Sequence, residues 1–319
     1  MPLIQFQRPL VRLPIRFSAE ALAAEVAALP DSAWVSHPDG YAGNNAVRLI
    51  SPGGQPTDGY AGAMAPTTDL RRCPYIIEIM SELGAVWGRS RLMGLAAGAE
   101  VPAHIDSHRH WQTHIRIHIP IFTNPGVEFT CGGETVHMAP GECWIFDSFQ
   151  FHEVHNRGSE HRVHLVLDTV GGSKLYDLIA LAQSNPDAPV REFMPGSGDR
   201  QPLRLERINV PAVMSPWEIR CHVTLLADEA LPHPLLDTVL ARVERFVQEW
   251  GAVWAEHGPS PAGAQHYAQV LASSGRDLKA IGGDEIMLKN GLPLYLVLGR
   301  LVFENAIQAP STGSARAAA

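Results

Sequence analysis

The 319-residue chain has no Cys-x-x-Cys pair; Cys73, Cys131, Cys143 and Cys221 stand alone. Structural zinc sites draw on paired cysteines, so that class is set aside, and isolated thiols suit a reducing cytoplasm. The chain also lacks any lysine- or arginine-rich run, and its 25 basic against 33 acidic residues leave a net charge of −8. That balance argues against nucleic acid or an anionic membrane as the main partner, although a local basic pocket remains open. No apolar run approaches the ~20 residues that cross a bilayer. The opening MPLIQFQRPLVRLPIRF carries prolines and charges where a secretory signal needs an apolar centre. A soluble cytoplasmic protein is expected.

A length of 319 residues exceeds what one core usually serves, so a main domain and a smaller second one are expected. Ser18 can cap a helix over AEALAAEVAAL, and a second helix fits Pro74 to Trp87. From Arg89 the apolar period changes to two. RSRLMGLAAG, HWQTHIRIHIPIF, VEFTC–GG–ETVHM, CWIFD and HRVHLVLDTV then read as antiparallel strands. The expected fold is mainly β with flanking helices: a double-stranded β-helix (jelly roll, cupin-like) core plus a smaller C-terminal helical region. Residues 1–183 would form the jelly-roll domain, 184–202 a breaker-rich linker, 203–310 the helical domain and 311–319 a disordered tail.

Ten of the fifteen histidines lie between His104 and His164. Within that stretch His104 and Asp106 sit two apart, so an extended strand would put both on one face. His152 can join them from another strand. Two histidines and one carboxylate on one side of a metal leave the opposite positions open, an arrangement suited to non-haem Fe(II). An H-x-D triplet alone is weak evidence, since most such triplets are surface loops. His155, three residues on, competes with His152 by spacing alone.

Two arginines sharpen the reading. Arg162 opens a strand whose other face is Val163, Leu165 and Leu167. An arginine pointing into a barrel is a costly buried charge unless paired, and a dicarboxylate would pair it. Arg116 shares a strand face with His114 and His118, opposite Ile115, Ile117 and Ile119. That polar face either meets water or lines a pocket. His108 and His110 read as a solvated loop, with the substrate mouth as the alternative. Trp111 reads as pocket wall or core. Asp147 and Asn156 are expected to shape the turn around His152.

PAHID (102–106), IRIHIPI (115–121), GECWIFD (141–147), HEVHN (152–156) and R…LVLD (162–168) together resemble the aspartyl/asparaginyl β-hydroxylase family of Fe(II)/2-oxoglutarate dioxygenases, including its bacterial small-molecule, proline cis-4-hydroxylase-like branch. The resemblance covers roughly residues 20–172. It implies that His104, Asp106 and His152 hold Fe(II), and that Arg162 binds the distal carboxylate of 2-oxoglutarate. Arg116 and His118 would face cosubstrate and substrate. O2 would be the second cosubstrate, and the target an unactivated C–H bond of an amino acid, free or peptidyl. Asp106 favours hydroxylation over halogenation, which would need its coordination position for halide.

Two other classes share these residues. A cupin-like metalloenzyme without 2-oxoglutarate needs the metal ligands but not Arg162. A non-catalytic jelly-roll module would bind metal or ligand without turnover. For the C-terminal helices, a cover over the barrel mouth, a homodimer interface and a peptide-binding surface are all open.

Overall fold

The computed structural model describes residues 6–37, 40–198 and 201–308. Two compact units divide them. One holds the described residues up to Asp106 and from His114 to Asn209; the other holds Ser107–Thr113 and the described residues from Val210 onward. The last expected segment, 311–319, lies outside the described residues.

The first unit is a β-structure. Its strands are β1 (Leu10–Phe17), β2 (Val35–Ser36), β3 (Asn44–Pro52), β4 (Met64–Pro66), β5 (Val86–Leu95), β6 (Glu100–His104) and β7 (Ile115–Phe122). They continue as β8 (Val127–Cys131), β9 (Glu134–Val136), β10 (Glu142–Phe146), β11 (His152–Asn156), β12 (Arg162–Thr169), β13 (Arg191–Phe193) and β14 (Arg204–Leu205). One sheet runs β13-β1-β10-β7-β12-β5-β3-β2, with β14 on β5 and β4 on β3; the other runs β6-β11-β8-β9. From β5 to β12 the chain passes between the two sheets, every pairing among these eight strands being antiparallel. This is the double-stranded β-helix expected from the spacing of the strands.

Local chemistry explains the main turns. Gly132 and Gly133 take positive φ (55° and 83°) between β8 and β9, as a tight primed turn requires. Ser18 caps α1 (Ala19–Ala27) by accepting from the Ala21 amide, as expected. Short α2 (Thr68–Arg71) precedes α3 (Pro74–Leu83), which ends on Gly84 in the left-handed conformation. Gly141 is the least replaceable of these glycines. Its φ is +78°, its amide donates to the Pro120 carbonyl and its carbonyl accepts from the Phe17 amide. A Cβ there would run into the Phe17 carbonyl oxygen. We expect Gly141→Ala to destabilise the unit by at least about 2 kcal/mol, read as a several-degree fall in the thermal midpoint. An unchanged midpoint would show that the β1–β10 corner can relax.

Three sequence expectations change. The strand expected from His110 begins at Ile115 instead, because α4 (Arg109–Thr113) occupies the preceding residues. His110 on that helix is buried, not solvated. The 184–202 stretch is not open chain over its described part: after α5 (Ser173–Ser184), β13 pairs in parallel with β1 and buries Phe193.

The second unit is helical: α6 (Pro216–Glu229), α7 (Leu236–His257), α8 (Ala264–Ala280) and α9 (Leu294–Leu298). Val239, Val243, Phe246, Val247 and Trp250 form the buried stripe of α7. Trp250 Nε1 donates to the Met214 carbonyl (2.9 Å) and its ring lies 4.4 Å from Tyr267. Ser107–Thr113 is held within this unit. Arg300 Nη1 donates to Ser107 Oγ (2.7 Å) and Arg109 Nε to Glu218 Oε1 (2.6 Å). No helix among the described residues is long and apolar enough to cross a membrane.

Candidate active site

β6 ends and β11 begins at one point of the smaller sheet, where His104 and His152 are directly paired. Their rings are 4.1 Å apart. Asp106, two residues past His104, is fixed by its amide donating to the Ser148 carbonyl (3.0 Å). One ligand atom from each of His104, Asp106 and His152 lies within 4.8 Å of the other two. The Nε2 atoms of both histidines stand 3.9 Å from an Asp106 oxygen. His104 Nδ1 is 2.8 Å from the Pro102 carbonyl and His152 Nδ1 is 3.0 Å from the Gln150 carbonyl. A carbonyl can only accept, so each Nδ1 carries the proton and each Nε2 lone pair faces the group. The donor set fits a divalent metal. His155 alternates outward on β11, between Glu100 (3.1 Å) and Glu153 (3.4 Å). Asp147 and Asn156 do shape the neighbouring turns: Asp147 accepts from the Phe149 amide, and Asn156 donates to Leu95, Ala96 and Glu160 carbonyls.

On the larger sheet, alternate residues of β12 point inward: Arg162, His164, Val166 and Asp168. Arg162 is 4% exposed. Its Nη2 donates to His164 Nδ1 (2.6 Å), and its Nε has no partner. No carboxylate among the described residues pairs with it, and burial alone pushes its guanidinium down to about 9. His118 on β7 stands beside this pair, Nδ1 to His164 Nδ1 at 3.4 Å, with Phe129 and Phe146 edge-on at 5.4 Å each. The Nε2 atoms of His118 and His164 are buried without partners. Burial, and then the Arg162 charge, hold both imidazoles well below their ordinary range, so both are neutral. The result is one positive charge without a carboxylate partner among the described residues, in a buried wall of the barrel, a fit for a ligand carboxylate.

Arg116 is placed differently. Its Nε donates to Asp168 Oδ1 (3.0 Å) and its Nη1 to Asp106 Oδ2 (3.3 Å), so it ties the candidate metal ligand to β12. These two carboxylates hold its guanidinium up against burial. Asp168, to which the motif alone gave no role, also meets Arg89 at 3.7 Å. Inward parity was the signal that could have found it: it falls six residues after Arg162 on the same face. His114 makes a buried pair with Glu206 (2.9 Å), a partner far away in sequence.

Residues 59–171 match the family model of aspartyl/asparaginyl beta-hydroxylase. That stretch of the jelly-roll unit is similar to this family. The match spans all eight jelly-roll strands and includes every residue of the triad, Arg116, His118 and Arg162. No curated protein matches the chain. Among solved structures, a 2OG-Fe(II) oxygenase family oxidoreductase from Burkholderia pseudomallei shares 14% identity at TM-score 0.37, over 49% of this chain and 80% of its own. A Pseudomonas putida prolyl-4-hydroxylase shares 14% identity at TM-score 0.36, over 52% and 95%. A predicted oxalate decarboxylase from Thermotoga maritima shares 18% identity at TM-score 0.27, over 43% and 89%.

The buried imidazoles predict an acid limit for the jelly-roll unit. Burial lowers His152 from 6.5 to about 4, against the opposing pull of Asp106. With His118 and His164 also lowered, the unfolded chain binds protons below pH 6.5 that the folded chain refuses. Stability of the metal-free protein should therefore hold above pH ~6.5 and fall as pH drops toward 4, with His152 alone accounting for about 3 kcal/mol. Urea midpoints measured from pH 7.5 to 4.5 check this. A flat profile would mean that these rings are protonated in the fold.

Proposed function

We propose that the protein is an Fe(II)- and 2-oxoglutarate-dependent dioxygenase that hydroxylates an unactivated C–H bond of an amino acid or amino-acid residue of the Asp, Asn or Pro type. The observation that carries this reading is Arg162: a buried guanidinium without a carboxylate partner, in the same barrel as a His-Asp-His group. His104, Asp106 and His152 would hold the metal. Arg162 would take a carboxylate of 2-oxoglutarate, with neutral His164 and His118 beside it. When bound, the iron supplies oxidation by O2, with 2-oxoglutarate leaving as succinate and CO2 and one oxygen atom entering the substrate C–H bond. The chain's own part is to present neutral imidazole Nε2 atoms, to hold Asp106 through Arg116, and to keep water from the Phe129–Phe146 wall. Free cysteines at all four positions suit a reducing cytoplasm.

The test is succinate release with Fe(II), ascorbate, 2-oxoglutarate and a panel of free amino acids and short peptides. We expect at least one member to stimulate succinate formation and gain a hydroxyl group by mass. If none does, while metal and 2-oxoglutarate both bind, the chain is a binding module. Turnover without 2-oxoglutarate would assign it to the cupin-like metalloenzymes.

A further inference from the structure

β6 is an edge strand of the smaller sheet, with β11 as its neighbour. Asp106 lies two residues past its last residue, His104, and so beyond the ladder. In the jelly-roll unit Asp106 is held by the Ser148 carbonyl at its amide (3.0 Å) and by Arg116 Nη1 at its carboxylate (3.3 Å). The chain leaving Asp106 does not rejoin the sheets at once. Ser107–Thr113 belongs to the helical unit, and β7 starts at Ile115. The ends of this loop are therefore the candidate metal ligand and, through His114, the arginine that grips it.

The helical unit fixes the loop at two points with its own side chains. Arg300 Nη1 donates to Ser107 Oγ (2.7 Å), one residue from Asp106. Arg109 Nε donates to Glu218 Oε1 (2.6 Å), and its Nη2 meets the same oxygen. Ser107 and Arg109 are both buried. Both anchors stand on fixed backbone. Glu218 is in the first turn of α6, where Ser215 Oγ accepts from its amide (3.2 Å) and Ile219, Val223 and Leu226 bury the helix. Arg300 is on a π-helical turn, Gly299–Phe303, that continues α9 and buries Leu301 and Val302. Wide turns of this kind are rare and recur at functional positions.

A buried ion pair is an expensive way to hold a loop, since apolar residues of similar volume often hold a fold as well or better. Burial opposes the Glu218 charge, yet His222 and Arg109 keep its carboxyl below the ordinary carboxylate range. What such a pair adds is one fixed geometry, and a metal ligand at the loop's end has use for it, because ligand positions tolerate only about 0.5 Å of error.

We propose that Arg300 and Glu218 are positioning residues for the metal centre: by fixing Ser107–Thr113 from the helical unit, they set the carboxylate of Asp106 and the affinity of the site for its divalent ion. This rests on the reading of His104, Asp106 and His152 as metal ligands. The helical unit then takes part in the oxygenase itself.

The test is a Co(II) titration of the full chain, reading both the affinity and the visible d–d spectrum, which reports ligand geometry. Circular dichroism checks the fold of each variant. Arg300→Met, Arg300→Lys, Glu218→Gln, Ser107→Ala and the double variant Ser107→Ala/Arg300→Met are compared with wild type. Arg242→Met is the control: it breaks the Arg242–Asp277 pair (3.0 Å) between α7 and α8 of the same unit. We expect Arg300→Met and Glu218→Gln to weaken Co(II) binding about tenfold and to change the d–d bands, the lower end of what partners of metal ligands contribute. Ser107→Ala should act in the same direction, and the double variant should be no weaker than Arg300→Met. Arg300→Lys, which keeps a donor, should recover most of the loss. Arg242→Met should leave affinity and spectrum unchanged even where it lowers the thermal midpoint. Wild-type affinity and spectrum in folded Arg300→Met and Glu218→Gln overturn the proposal, as do an equal loss in Arg242→Met and additive losses in the double variant. Where Arg300→Met or Glu218→Gln fails to fold, Ser107→Ala decides, since it removes one hydroxyl: wild-type Co(II) binding by it overturns the proposal. Failure of the underlying metal reading shows separately, as Co(II) binding that survives His152→Ala.

Discussion

Arg162→Met should make the ligand-free protein more stable and at the same time lower its affinity for 2-oxoglutarate by roughly 100-fold or more. Both effects come from one unbalanced charge. In the ligand-free fold Arg162 is buried, its Nε is unpartnered, and its Nη2 meets only a neutral imidazole. Methionine removes a desolvated charge and leaves apolar volume, a change worth about 1–3 kcal/mol in favour of folding. His164 Nδ1 loses the Arg162 donor, yet His118 Nδ1 stands 3.4 Å away and can serve it. With ligand, the sign reverses. A two-donor guanidinium–carboxylate contact in a buried wall contributes about 3–4 kcal/mol, and each 1.4 kcal/mol is tenfold in affinity. Thermal melts without ligand and 2-oxoglutarate titrations on the metal-loaded protein check the two halves. A less stable variant with unaltered 2-oxoglutarate affinity would reduce Arg162 to a structural residue. Full turnover by the variant would favour a metalloenzyme that does without 2-oxoglutarate.

What the sequence reveals here depends on whether the signal is local. The jelly roll shows in strand-length runs separated by turns, and Gly132–Gly133 marks the β8–β9 hairpin without outside help. His104 and Asp106 come together because two residues apart means one face of an extended chain, and β6 does end there. The inward face of β12 follows from the same parity: Arg162, His164 and Asp168 are legible as a set once one of them is placed inside. Parity cannot supply partners. That Arg116 would be neutralised by Asp168, or His114 by Glu206, depends on strands that meet only in the folded unit. α4 was hidden for a related reason. The alternation of His114, Arg116 and His118 extends backward through His110, but Arg109 is drawn off by Glu218, 109 residues away. The 184–202 stretch misleads by composition, since β13 needs only backbone pairing with β1 and one buried ring, Phe193.

Loss of the Asp106 carboxylate should have the largest effect on the metal. Asp106→Asn keeps the shape and the contact within reach of Arg116, and it removes the negative charge that balances a divalent ion. Changing partners of ligands, one bond further out, typically weakens metal binding 10–100-fold, so changing the ligand itself should exceed about 100-fold. His152→Ala removes an Nε2 already held neutral and aimed by the Gln150 carbonyl, and should likewise abolish stoichiometric Fe(II) binding. Asp168→Asn is the informative contrast. It leaves all three candidate ligands in place but deprives Arg116 Nε of its carboxylate (3.0 Å), so Arg116 is left to bind Asp106 in competition with the metal. We expect an intermediate loss, about 10–100-fold, that deepens as ionic strength falls. Anaerobic Fe(II) titration of the three variants orders them: Asp106→Asn and His152→Ala without stoichiometric metal, Asp168→Asn between these and wild type. Retention of tight Fe(II) by His152→Ala would move the centre elsewhere. Wild-type affinity in Asp168→Asn would show that Arg116 holds Asp106 without drawing charge from it, leaving the geometry of the triad to the Ser148 hydrogen bond alone.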